Sequence, residues 1–239
     1  MFNDPRPIDS TNDAKLRITP FENFEFCADQ TSALLGLAEV VPCSRELPVL
    51  FAKLESAVAP IALLGLPEKG NAAVKNGTWL YEYIPAVFRS YPFLLAQTDE
   101  KGENFAVCLE RTAQNISETD GEPLFTEDGA PAPLLEQAKN LLQNLHTEQA
   151  RAQLLGNLLV EKELLVPFAI TVRQGEEQQA IPLEGLYFVN EKKLNDLSDE
   201  DFCDLRAKGV LPALYAHLMS LGQINRIMPR TTESEQESK

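Results

Sequence analysis

An α+β fold with a mostly antiparallel sheet is predicted by three observations in the amino-acid sequence. The first half carries short apolar runs of strand length separated by turn signals. The middle switches to an apolar spacing of three and four, and the last third returns to a strand pair followed by two helical segments. Runs of strands and then of helices, without strict βα alternation, define this class.

Each element has a local reason. Pro48–Ala52 and Ile61–Leu66 are apolar runs suited to strands buried on both faces. Asn71–Val74 and Thr78–Tyr81 flank Lys75-Asn76-Gly77, and Asn-Gly supplies the two positive-φ positions of a type I′ hairpin turn. Pro85 opens a short helix over Ala86–Ser90, and Pro92 disfavours helix at Tyr91. Phe93–Ala96 and Phe105–Leu109 form a second hairpin across the polar stretch Asp99–Glu103.

From Leu134 the apolar side chains fall at Leu134, Ala138, Leu141, Leu145, Ala152, Leu155 and Leu159. That is one face of an amphipathic helix near 131–162, with Pro131 and Pro133 in its first turn. Gly156 inside it costs about 1 kcal/mol relative to Ala. Val166–Val172 and Ala180–Val189 then pair across Arg173–Glu176. Ser198, followed by Asp199, Glu200 and Asp201, caps a helix that stops at Gly209, because its hydroxyl accepts orphan N–H groups and the acids suit the positive dipole end. Leu211–Leu221 is the last helix. Residues 1–14 and 229–239 read as polar, flexible tails around a single domain at 15–228.

Charge and composition exclude several functions. Thirty-six acidic against twenty-one basic residues give a net charge of -15, with no Lys/Arg cluster, so nucleic acid is not an expected partner. No apolar run is long enough to span a bilayer, and the N-terminus lacks the pattern of a secretory signal. Cys27, Cys43, Cys108 and Cys203 are widely spaced and read as reduced thiols. A cytoplasmic location is the expectation.

Catalytic patterns are weak. His146-Thr147-Glu148 with His217 satisfies H-x-E…H for a non-haem iron site on paper, but residues two apart on a helix point about 200° apart. Cys203 with His217 could make a thiolate pair, yet Cys203 beside Phe202 and near Leu205 reads better as a core position. No nucleophile elbow, phosphate-binding glycine loop or Ca²⁺ loop is present, and neither metal nor cofactor is expected. The binding candidate is the block from Trp79 to Tyr91. There Trp79, Tyr81 and Tyr91 gather around Arg89, and these residue types dominate interface hot spots. His217, in Tyr215-Ala216-His217, joins it as a candidate; the plainer reading is core packing for the block and a satisfied helix histidine for His217.

Three stretches carry a resemblance: ELPVLFAK with the following PIALLGL, the block WLYEYIPAVFRSYPFLLA, and the segment from Gly185 to Ile227. With GEPLFTEDGAPAPLLEQA between them, the chain resembles the SapC family over about residues 20–228. FEFCADQTSALLGL departs from that family's more polar, often His-containing pattern. The resemblance implies an accessory role linked to surface layers, secretion or uptake, since such proteins are often encoded beside TonB-dependent receptors and halogenase-like flavoproteins. A permease that shares the name requires membrane spans, which this sequence does not show. The expected function is a non-enzymatic interaction protein that binds a protein partner or cargo. The alternative is an enzyme, or an obligate enzyme subunit, modifying a peptide or small molecule in that pathway.

Overall fold

The computed structural model describes residues 1–20, 23–55, 57–66, 69–99, 104–174 and 177–227, and of 170–183 the backbone alone. The expected turns at Asp99–Glu103 and Arg173–Glu176 and the expected C-terminal tail lie wholly or partly outside these residues.

The centre is a five-stranded antiparallel sheet. Its order runs β12 (Leu165–Gln174), β13 (Glu177–Val189), β4 (Val49–Lys53), β5 (Val58–Leu63) and β3 (Ser32–Leu34). Every residue of β5 is buried, as its unbroken apolar run requires. One face of the sheet packs on α3 (Pro133–Glu161) and α6 (Leu211–Ser220) around Phe51, Leu155, Leu159 and Leu214. The other face is covered by the 3-10 turn Leu221–Arg226 and Ile227, which meet Leu50, Ile61 and Leu63.

The fit of α3 to the sheet depends on one small residue. A Cβ added to Gly156 would lie 1.8 Å from the carbonyl oxygen of Val58. The helix therefore crosses β5 at a distance that only glycine permits. The apolar face also sits slightly rotated from its expected position at the N-terminal end: Leu135 and Leu142 are buried there, while Leu134, Ala138 and Leu141 are half-buried.

Two smaller sheets flank the N-terminal half of α3. One has the order β1 (Pro5–Pro7), β9 (Phe105–Glu110) and β8 (Phe93–Gln97). The other places β2 (Arg17–Ile18) between β10 (Ile116–Ser117) and β11 (Glu122–Pro123). Ile18, Phe93, Leu109, Leu124 and Leu135 form the core they share with the helix. A two-residue hairpin, β6 (Val74–Lys75) with β7 (Thr78–Trp79), turns through Asn76 and Gly77 at φ 50° and 75°, the type I′ geometry the sequence implies.

Two expectations need correction. Residues 1–14 are not a flexible tail: β1 pairs with β9, and the backbone N–H groups of Asn3 and Asp4 donate to the buried Glu110 carboxylate at 2.6 and 3.0 Å. Asp13, itself buried, takes a bidentate ion pair from Arg111 at 2.7 and 2.9 Å. The C-terminal part also holds one helix more than expected. Besides α5 (Asp199–Ala207) and α6 there is α4 (Glu191–Asn195), capped by Asn190, whose side chain accepts from Lys193 N–H. The Ser198 cap is as expected, accepting from Asp201 N–H at 3.1 Å.

A cleft at the end of the aromatic block

The block between Trp79 and Tyr91 separates into a buried half and an open half. Trp79 is 8% exposed, donates its indole N–H to the Tyr83 carbonyl at 3.0 Å, and packs on Phe24 and Phe88 with ring centroids 5.8 and 5.7 Å away. Tyr81 lies half-buried against it, edge to face at 6.5 Å. Both serve the core, so Trp79 is not a docking anchor. The competing demand is volume, because a large ring on a two-residue strand has nowhere dry to go except inward.

The open half is organised by a carboxylate. Glu39 is buried at the start of the four-residue helix α1 (Val40–Cys43). It accepts from Gly36 N–H at 2.9 Å, the Tyr83 hydroxyl at 2.8 Å and Ala86 N–H at 2.7 Å. Burial, followed by the Glu39 charge, pushes the Tyr83 phenol well above the ordinary tyrosine range. Pro85 then starts the single turn α2 (Ala86–Arg89). Arg89 leaves that turn with Nε donating to the Ile84 carbonyl at 3.0 Å and its guanidinium 5.9 Å above the Tyr83 ring, while Glu39 stands 4.0 Å away. Its side chain remains 45% exposed. Tyr91, half-buried, stacks on Phe26 at 4.1 Å with the rings 13° from parallel, and burial raises its phenol pKa.

Tyr91 stands between two adjoining cavities. The larger, about 650 Å³, is walled by Asn23, Glu25, Phe26, Asp29 and Gln114 among others. The smaller, about 340 Å³, is bounded by Arg89, Ser90 and the half-buried α3 residues Leu134, Ala138 and Leu141. Thr19, Pro20, Tyr91 and Asn115 line both. Asn115 was not legible as a site residue. Its side chain is 9% exposed and donates from Nδ2 to the Thr19 carbonyl at 3.3 Å, and its buried Oδ1 meets no donor among the described residues.

His217 is placed elsewhere, and that corrects its candidacy. It is fully buried on α6 beneath β4 and β13. Val189 N–H donates to Nε2 at 3.0 Å, so the proton lies on Nδ1, which donates to the Val49 carbonyl at 2.7 Å. Burial holds the imidazolium pKa down at about 4, against a weaker upward pull from Val49. Both nitrogens are engaged by backbone, so the ring can serve neither a metal nor the Cys203 thiol. Cys203 is exposed rather than a core residue; Leu205 takes that buried position. His146 is exposed on α3 beside Phe105, with ring centroids 4.5 Å apart. Glu148, two residues on, turns to Ala38 N–H and Arg151. Among the described residues no group of three His, Cys, Asp or Glu is placed to hold a metal ion. No helix among them is long and apolar enough to cross a membrane.

Fold and cleft together define an α+β protein with an open groove on either side of Tyr91. A family model described as SapC matches residues 8–227, and the chain belongs to the SapC family. The match begins earlier than the resemblance did, at the residue after the strand that pairs with β9. Searches of curated proteins and of solved structures return no significant match.

Proposed function

We propose that this chain is a non-enzymatic accessory protein of a surface-layer, secretion or uptake-linked pathway, acting in the cytoplasm by binding a protein partner or cargo. The observation that carries this reading is the double cavity around Tyr91 and Asn115. A groove of this size, with a stacked aromatic pair and several side-chain amides in its lining, suits an extended peptide segment: the flat Tyr91–Phe26 stack offers area and the amides offer adaptable hydrogen bonds. Arg89 stands at one end with half its side chain in water, where a carboxylate of the bound segment can reach it.

The test compares capture of partners by the wild type and by Arg89→Ala from the native cytoplasm, with thermal unfolding measured in parallel. Arg89→Ala is expected to reduce capture at least ~10-fold, the scale of an interface anchor. Its stability should fall by no more than about 1 kcal/mol, because the ion pair with Glu39 is long and half-exposed. Undiminished capture by Arg89→Ala removes the cleft from the binding function.

A further inference from the structure

The C-terminal half of α3, away from the cleft, carries an apolar stripe that the described chain does not cover. Leu154 is 70% exposed although Ala152, Leu155 and Leu159 on the opposite face are buried. Arg151, Leu154, Leu158 and Glu161 follow one another at spacings of three, four and three, so they share one face of the helix. With Leu37 and Val210 they line an open groove of about 470 Å³.

The order of these four residues is self-complementary. Leu154 and Leu158 are placed symmetrically about position 156, and so are Arg151 and Glu161. A two-fold axis crossing α3 there lays a second helix antiparallel to the first. Leu154 of each copy then meets Leu158 of the other, and Arg151 of each meets Glu161 of the other. An isologous contact requires this arrangement, in which each residue's partner also finds it as partner. The charges are available for it. Glu161 is exposed with no ion-pair partner among the described residues. Arg151 bonds Glu148 through Nη1 at 2.6 Å and keeps further N–H donors. Residues 228–239, MPRTTESEQESK, hold Met228 as their one large apolar side chain and make a poor filling for a leucine groove.

We infer that this stripe is the self-association surface of the protein, pairing α3 with α3 of a second copy about a two-fold axis near Gly156. The paired stretch from Arg151 to Glu161 is only ~15 Å long. The contact is therefore smaller than a standard interface, and the dimer is reversible, with a dissociation constant at the weak end of specific contacts.

Sedimentation equilibrium of the full chain between ~1 and 200 μM at low salt brackets that constant. The wild type is expected to show a monomer–dimer equilibrium, and Leu154→Glu to remain monomeric with unchanged melting. Arg151→Glu alone and Glu161→Arg alone each place like charges across the axis twice, so each should weaken the dimer by ~10-fold or more. Mixing the two variants should restore it, because a heterodimer has opposite charges at both ends. The mixture also controls for any local effect of losing the Arg151–Glu148 pair. A wild type that is monomeric throughout overturns the inference, even if Leu154→Glu then impairs binding of some other chain. So does a dimer indifferent to Leu154→Glu, or a mixture no tighter than either variant alone.

Discussion

His217 links two strands and a helix through a neutral ring, and that gives it a pH signature. Its folded pKa, about 4, lies below the ordinary value near 6.5 of an unfolded chain. The unfolded state therefore binds more protons between these values, and stability must fall as pH drops through that window. The stabilisation is complete above about 6.5 and lost once pH reaches about 4, an effect on the order of 3 kcal/mol. Between about pH 6.5 and 5.5 carboxylates of ordinary pKa stay almost fully ionised, so the slope that denaturant unfolding shows there and a His217 variant loses belongs to the histidine. His217→Gln should be less stable at pH 7 but nearly flat across this range. A slope in the variant equal to that of the wild type would assign the effect to another group. Sequence reasoning could propose His217 only as a candidate, because its partners, Val49 and Val189, stand 168 and 28 residues away. The same distance hides Glu39, whose acceptor contact to Ala86 spans 47 residues. Arg89 and Tyr91 were legible because an Arg among aromatics is unusual over so short a stretch. Asn115 was not, since nothing local distinguishes it from any loop amide.

Helix α3 shows where local propensity gives the wrong sign. Replacing a mid-helix glycine by alanine favours an isolated helix by about 1 kcal/mol. At Gly156 the added methyl would meet the Val58 carbonyl 1.8 Å away, and that carbonyl belongs to a strand buried on both faces. Helix or strand must move, and overpacking of this kind costs about 1–3 kcal/mol or more. Gly156→Ala is therefore expected to lower the melting temperature by several degrees after the propensity gain is counted. A melting temperature at or above wild type would mean that α3 does not lie this close to β5. Elements whose signals are local were readable in advance: the Asn76-Gly77 turn, the Ser198 cap, Pro133 at the start of α3 and the apolar runs that pair as β8 and β9. Elements defined by distant pairing were not. The three-residue strands β1 and β3 exist only against β9 and β5, and α4 is a single capped turn. The rotation of the buried stripe from Leu134 to Leu135 has the same origin. The periodicity fixes a face to within a residue, and the neighbouring sheets choose which side of it is covered.

At the scale of the molecule, the chain closes on itself through its first residues. Asn3 and Asp4 supply backbone donors to Glu110, and Asp13 neutralises Arg111, the next residue along. Ile8 and Leu16 pack onto the core shared by the two small sheets and α3. Burial alone would raise the Glu110 carboxyl. The donors from Thr112, Asp4 and Asn3 outweigh it and hold the pKa below the usual carboxylate value. Removing residues 1–13 leaves Glu110 with the Thr112 donors alone and strips a largely buried guanidinium of its carboxylate. Breaking a buried charge pair by deleting one partner typically costs about 3–5 kcal/mol, and here an apolar contact and a strand are lost with it. In a chain of this length that corresponds to a drop of roughly 10 °C in melting temperature. A less drastic variant separates the electrostatic part: Asp13→Asn keeps β1 and the apolar contacts but removes the charge opposite Arg111. It should recover about half of the truncation's effect, and Arg111→Gln added to it should lose little more, since the two residues act as one unit. Calorimetry on the three proteins decides the matter. A truncated chain that melts with the wild type would show that the N-terminal strap rides on the fold without supporting it.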